Sequence, residues 1–124
     1  MKANVIISIG SLNAALAIVF GAFAAHGLKG QLDAYSLDVF NTAVDFHFWQ
    51  SIGIMLVGLL TKIYSDRNFN PAMWAMLLGI VLFCGSLYLL SITGLKWLGA
   101  ITPFGGVLFI FAWSWLSWKL LKGS

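Results

Sequence analysis

Apolar residues fall into four long runs separated by short polar breaks, at about residues 5–27, 41–61, 72–93 and 98–118. A bilayer span consumes about 20 residues, so each run is read as one membrane-crossing helix. Within the first run Gly10, Asn13, Ala17, Gly21 and Ala24 recur at three- and four-residue steps, placing small residues and one amide on a single face. On the second, His47, Gln50, Ser51, Ile54, Gly58 and Thr61 share one face at about 100° per residue, while Asp38, Asn41 and Asp45 share another. The third run repeats Gly79, Ser86 and Thr93 at seven residues, and the fourth aligns Gly99, Thr102, Gly106 and Trp113.

The breaks carry the remaining signals. Between Lys29 and Lys62 the chain is longer than one span needs, and Leu32–Phe40 mixes apolar and acidic residues in a way suited to a short interfacial helix before the second span. Lys62–Asn70 is the most polar stretch and leads into Pro71, a residue suited to a first helical turn. Pro103 removes one backbone bond and crowds the carbonyl of Gly99, which predicts a kink early in the fourth span. The residues Gly85, Ser86, Thr102, Pro103, Gly105 and Gly106, with Gly21 in the first span, are the expected helix contacts. Gly85 and Gly106 in particular are expected at tight contacts, making the third and fourth spans a packing core. The fold class is all-α: an integral-membrane four-helix bundle, residues 1–124 forming one domain.

Composition narrows the function. With 60% hydrophobic and 9% charged residues in 124, the chain is too apolar for a soluble domain and leaves no room for a separate catalytic one. The first run is too long for the apolar core of a signal peptide. The seven basic residues flank the spans rather than forming a patch, which argues against nucleic acid and for topology. Lys2, Lys62, Arg67, Lys119 and Lys122 gather on one side, and Lys29 and Lys96 lie opposite with Asp33 and Asp38. The positive-inside rule then puts both termini in the cytoplasm.

Ionisable groups at membrane depth are functional-site hypotheses by default. They are His26, Asp45 and His47. Asp45 and His47 are about 200° apart on one helix and His26 belongs to another, so a convergent metal site is not expected, and no cofactor is implied. There is no Gly-rich phosphate loop and no Ser-x-x-Lys, so an enzyme is not expected. His47 and Gln50 are expected to satisfy together a polar partner on the first span, Asn13 above all, while His26 and Asp45 meet water or headgroups. The expected partners are membrane lipid, a second copy of the chain or another membrane protein. The alternative to such an accessory role is a small oligomeric channel or transporter whose polar path runs along His47, Gln50 and Ser51.

Three stretches carry a resemblance: Gly21-Ala22-Phe23-Ala24-Ala25-His26, Leu82-Phe83-Cys84-Gly85-Ser86-Leu87-Tyr88, and Ile101-Thr102-Pro103-Phe104-Gly105-Gly106 with Ala112-Trp113. In that order they resemble the YgdD/YwdK-like family of small bacterial inner-membrane proteins of unknown function, over nearly the whole chain. The resemblance implies four spans and no established activity. Where that family tends to read Tyr-Gln-x-x-His, this chain has Phe46-His47-Phe48-Trp49-Gln50, with histidine and glutamine exchanged.

Overall fold

The computed structural model describes residues 1–123, and their architecture is four helices: Ala3–Leu28, Ala34–Ile63, Asn70–Thr93 and Lys96–Lys122. Each is long and apolar enough to cross a membrane. Short loops make sequential neighbours antiparallel.

The second helix corrects the expected separate interfacial helix. Asp33 caps it, its Oδ1 accepting the Ser36 N–H at 2.7 Å, and the helix then runs unbroken for 30 residues. No glycine or proline interrupts residues 34–52, so nothing ends the helix before it enters the span. At 1.5 Å per residue it is about 45 Å long, against about 30 Å of hydrocarbon. The first turns therefore project as part of the span's own helix.

Pro103 also acts differently from expectation. The fourth helix opens as a tight three-residue-per-turn segment over Lys96–Ala100, and the α-helix proper starts at Thr102. Pro103 thus sits in the first α-turn, where its missing N–H costs nothing. It starts the helix instead of kinking it, and its ring is exposed instead of packed between helices as expected. Gly94, at φ 71°, closes the third helix in the left-handed region that glycine adopts without strain. Widened π-type segments end the first helix at Ala24–Leu28 and interrupt the third at Ile80–Cys84.

Close approach falls on some of the expected small residues and not on others. A Cβ on Gly10 would stand 2.7 Å from the backbone nitrogen of Met55 and 2.8 Å from the Ser51 carbonyl oxygen, and one on Gly58 would stand 2.9 Å from the backbone nitrogen of Ile7. The first and second helices therefore meet backbone to backbone at two levels. Gly105 does the same against Phe83, and Gly79 against Phe109 and the Gly105 carbonyl. Gly21 is looser, 3.2 Å from Val44 Cγ1. Gly85 has nothing within 4 Å and Gly106 meets only the Phe83 ring at 3.8 Å, so neither is the tight contact expected of it. The reason is angular. Ser86 takes the buried face, and Gly85, about 100° away, does not share it. In the fourth helix Gly105, Phe109, Ala112 and Leu116 form the buried stripe at three- and four-residue steps, and Gly106, about 100° from Gly105, falls beside it. Apart from these glycine contacts, the core is built of Ile6, Ile54, Val57, Phe69, Met73, Met76 and Cys84, all fully buried.

Candidate functional site

The second helix presents His47, Gln50 and Ser51 on its buried face, and each finds a different partner. His47 lies between two helices. Its Nδ1 is 2.9 Å from the Tyr88 hydroxyl on the third helix, and its Nε2 is 3.1 Å from Asn13 Oδ1 on the first. Asn13 donates its Nδ2–H to the Ile9 carbonyl at 2.9 Å, which orients the amide and leaves Oδ1 as an acceptor. For a neutral ring the proton positions follow: His47 donates from Nε2 to Asn13, and its bare Nδ1 accepts from Tyr88. The chain Tyr88 to His47 to Asn13 to the Ile9 carbonyl links three helices through the imidazole.

Aromatic rings enclose this chain. Phe20 and Phe40 each pack with ring centroids 4.9 Å from Tyr88, and Phe20 lies 6.2 Å from the imidazole. A second group, Phe46, Phe83 and Phe109, packs at 4.6–6.2 Å between centroids. Dry surroundings of this kind make each polar pairing matter more, since an unpaired group has no water to turn to.

Gln50 does not join His47. Its Oε1 accepts the indole N–H of Trp113 on the fourth helix at 2.9 Å. The expected partner Asn13 is thus met by His47 alone: about 60° of rotation on the second helix is enough to aim His47 at the first and third helices and Gln50 at the fourth. Ser51 spends its hydroxyl on the His47 carbonyl at 2.6 Å within its own helix. Ser86 donates to the Phe83 carbonyl at 2.9 Å, so the Thr102 hydroxyl, 2.6 Å away, donates to Ser86 and ties the third helix to the fourth.

His26 and Asp45 are exposed and lie apart from this network. Asp45 lines a shallow groove of about 250 Å³ between the first two helices, with Ala17, Gly21 and Trp49. Among the described residues no three His, Cys, Asp or Glu side chains gather where they could hold a metal ion. Tyr88 and Trp113 are the site residues that sequence reading missed. Each sits inside a stretch quoted for the resemblance, but only an inter-helix register could assign either a partner.

Residues 20–106 match the family described as "Protein of unknown function (DUF423)". The chain belongs to the DUF423 family. It is 46% identical over 111 residues to the UPF0382 membrane protein YwdK of Bacillus subtilis, covering 89% of this chain and 90% of that protein. A UPF0382 membrane protein of Staphylococcus epidermidis is 43% identical over 119 residues, covering 96% of this chain and 97% of its own. No solved structure matches. The resemblance read from the three sequence stretches is therefore established, and with it an integral membrane protein. The family match covers His26, His47, Gln50 and Tyr88 but begins after Asn13 and ends before Trp113.

Proposed function

We propose that this protein is an accessory protein of the bacterial inner membrane, with both termini in the cytoplasm, acting on lipid or a membrane partner through its surface. It is neither an enzyme nor a conduit. One observation carries the reading: among the described residues, no buried side-chain nitrogen or oxygen lacks a hydrogen-bond partner. A polar path needs groups free to exchange partners with a passing solute, whereas His47, Gln50 and Ser51 are each committed to a fixed neighbour.

The orientation is supported by the asymmetry of basic residues, five at the end that carries the termini against Lys29 and Lys96 at the other. Arg67 stacks 4.2 Å over the Tyr64 ring and Lys122 4.8 Å over Trp118, with Lys119 5.9 Å from Trp115. These cation–aromatic pairs suit the level of anionic headgroups.

Flux measurements in reconstituted vesicles test the reading. Protons, potassium ions and small neutral solutes should cross no faster than in protein-free vesicles, with the parent and with His47→Ala alike. Flux that the parent supports and His47→Ala abolishes would replace the accessory reading with the channel one.

A further inference from the structure

A groove of about 580 Å³ opens at the end opposite the termini, between the start of the second helix and the turn joining the third to the fourth. Tyr35 and Ser36 line one side, Leu90, Gly94, Lys96 and Gly99 the other. We propose that this groove binds the phosphodiester headgroup of a membrane phospholipid, with Lys96 supplying the charge and the two hydroxyls supplying further donors. The proposal rests on the reading that the protein works through its surface, and names the chemistry that one surface site would take.

Three observations converge on that ligand. The lining carries one ammonium, two hydroxyls and no carboxylate, a set that complements a single negative charge surrounded by oxygen acceptors. Space is real: a Cβ added at Gly94 or Gly99 would meet nothing within 4 Å, and the volume falls in the range of small-ligand sites. The level is that of headgroups. Tyr35 is 71% exposed, Trp97 63% and Leu95 47%, an aromatic and apolar rim of the sort found at the membrane–water boundary. One turn back along the third helix Leu90 adds an apolar side chain to the lining, and the same turn exposes Leu89 and Ile92 to the level of the acyl chains.

The same end also sets a limit on the headgroup. Asp33 and Asp38 stand near the start of the second helix but outside the lining, and Asp33 is occupied by the Ser36 N–H. Their charge opposes a dianionic phosphomonoester more than a singly charged phosphodiester. Phosphatidylglycerol is therefore favoured over phosphatidic acid.

Native mass spectrometry of the purified chain with dioleoylphosphatidylglycerol, dioleoylphosphatidic acid or dioleoylglycerol tests this. One phosphatidylglycerol per chain should survive activation that strips the diacylglycerol, with phosphatidic acid held less well. Lys96→Gln should lower the retained fraction about tenfold, the loss expected for one charge-assisted hydrogen bond. Gly99→Leu should lower it by filling the groove with the charge intact, while Lys29→Gln, at the same end but outside the lining, should leave it unchanged. Equal retention of diacylglycerol, or full retention in both Lys96→Gln and Gly99→Leu, would overturn the site. Displacement by millimolar inorganic phosphate would assign the groove to a free anion instead and overturn the lipid. Those failures leave the non-conducting bundle standing, whereas flux through the parent would defeat the surface reading and leave the retention result intact.

Discussion

Replacing His47 with leucine removes two interhelical hydrogen bonds at once, the 2.9 Å contact to Tyr88 and the 3.1 Å contact to Asn13. Measured side-chain bonds inside membrane bundles average about 0.6 kcal/mol and reach about 1.7, so the pair is worth about 1–3 kcal/mol. The upper part of that range is expected here, because Asn13 Oδ1 and the Tyr88 hydroxyl would be left facing apolar rings. Asn13→Leu breaks one of the two and should cost about 0.6–1.7 kcal/mol. Since both changes remove the same bond, the double variant should be more stable than the two single losses together imply, with a coupling of about the same 0.6–1.7 kcal/mol. Gln50→Leu breaks a bond to a different helix, so its effect should add to that of Asn13→Leu within about 0.5 kcal/mol. The same independence governs the exchanged pair. Gln at position 47 can still donate to Asn13 and accept from Tyr88, so His47→Gln should be mild and should not require Gln50→His to rescue it. Reversible unfolding in mixed detergent micelles gives all of these values. Additive losses at 13 and 47, or coupling between 13 and 50, would refute the assignment of partners.

Glycine contacts give a second prediction: Gly10→Leu and Gly105→Leu should each lower the melting temperature in detergent sharply by forcing backbones apart, while Gly85→Leu should melt near the parent. For Asp33, the Ser36 N–H holds the carboxyl below its usual value of 3.8, so the charged cap contributes above that pH and is lost as pH falls through the folded value. Amide exchange of residues 36–37, normalised for intrinsic rate, should therefore speed up as pH drops below about 4 in the parent; Asp33→Asn, which keeps an acceptor without the titrating charge, should remove that step. For topology, single cysteines at Ser65 and Gly30 in a Cys84→Ala background should be labelled from outside intact cells at position 30 only; the reverse pattern would invert the orientation.

Hydropathy made the four spans legible because each apolar run exceeds what any soluble helix of this chain could bury. The faces of the first two helices were legible for the same kind of reason: both are regular α-helices over Gly10–Gly21 and His47–Thr61, so counting 100° per residue holds. Counting alone did not choose between neighbouring glycines. Gly105 and Gly106 both lie in the regular helix from Thr102, and only the packing against Phe83 puts Gly105 at the tight contact. The interfacial segment was misread because its mixed polarity signals where it lies in the bilayer, whereas only a breaker residue would separate it from the span. Asn13 as a partner of His47 could be argued from depth alone, as the strongly polar residue deep in the first span. Tyr88 and Trp113 could not, since an aromatic in a membrane helix is as well suited to lipid or packing, and its hydrogen bond depends on a register between helices that no local pattern encodes.

The central claim, that His47 is a closed link among three helices instead of a station on a path, is tested most directly by nitrogen-15 solid-state NMR of the labelled imidazole in bilayers. The account predicts a neutral ring protonated at Nε2 and bare at Nδ1, with the Nε2 proton exchanging only slowly with deuterated water. The opposite tautomer, or exchange as fast as that of a solvent-exposed histidine, would contradict it.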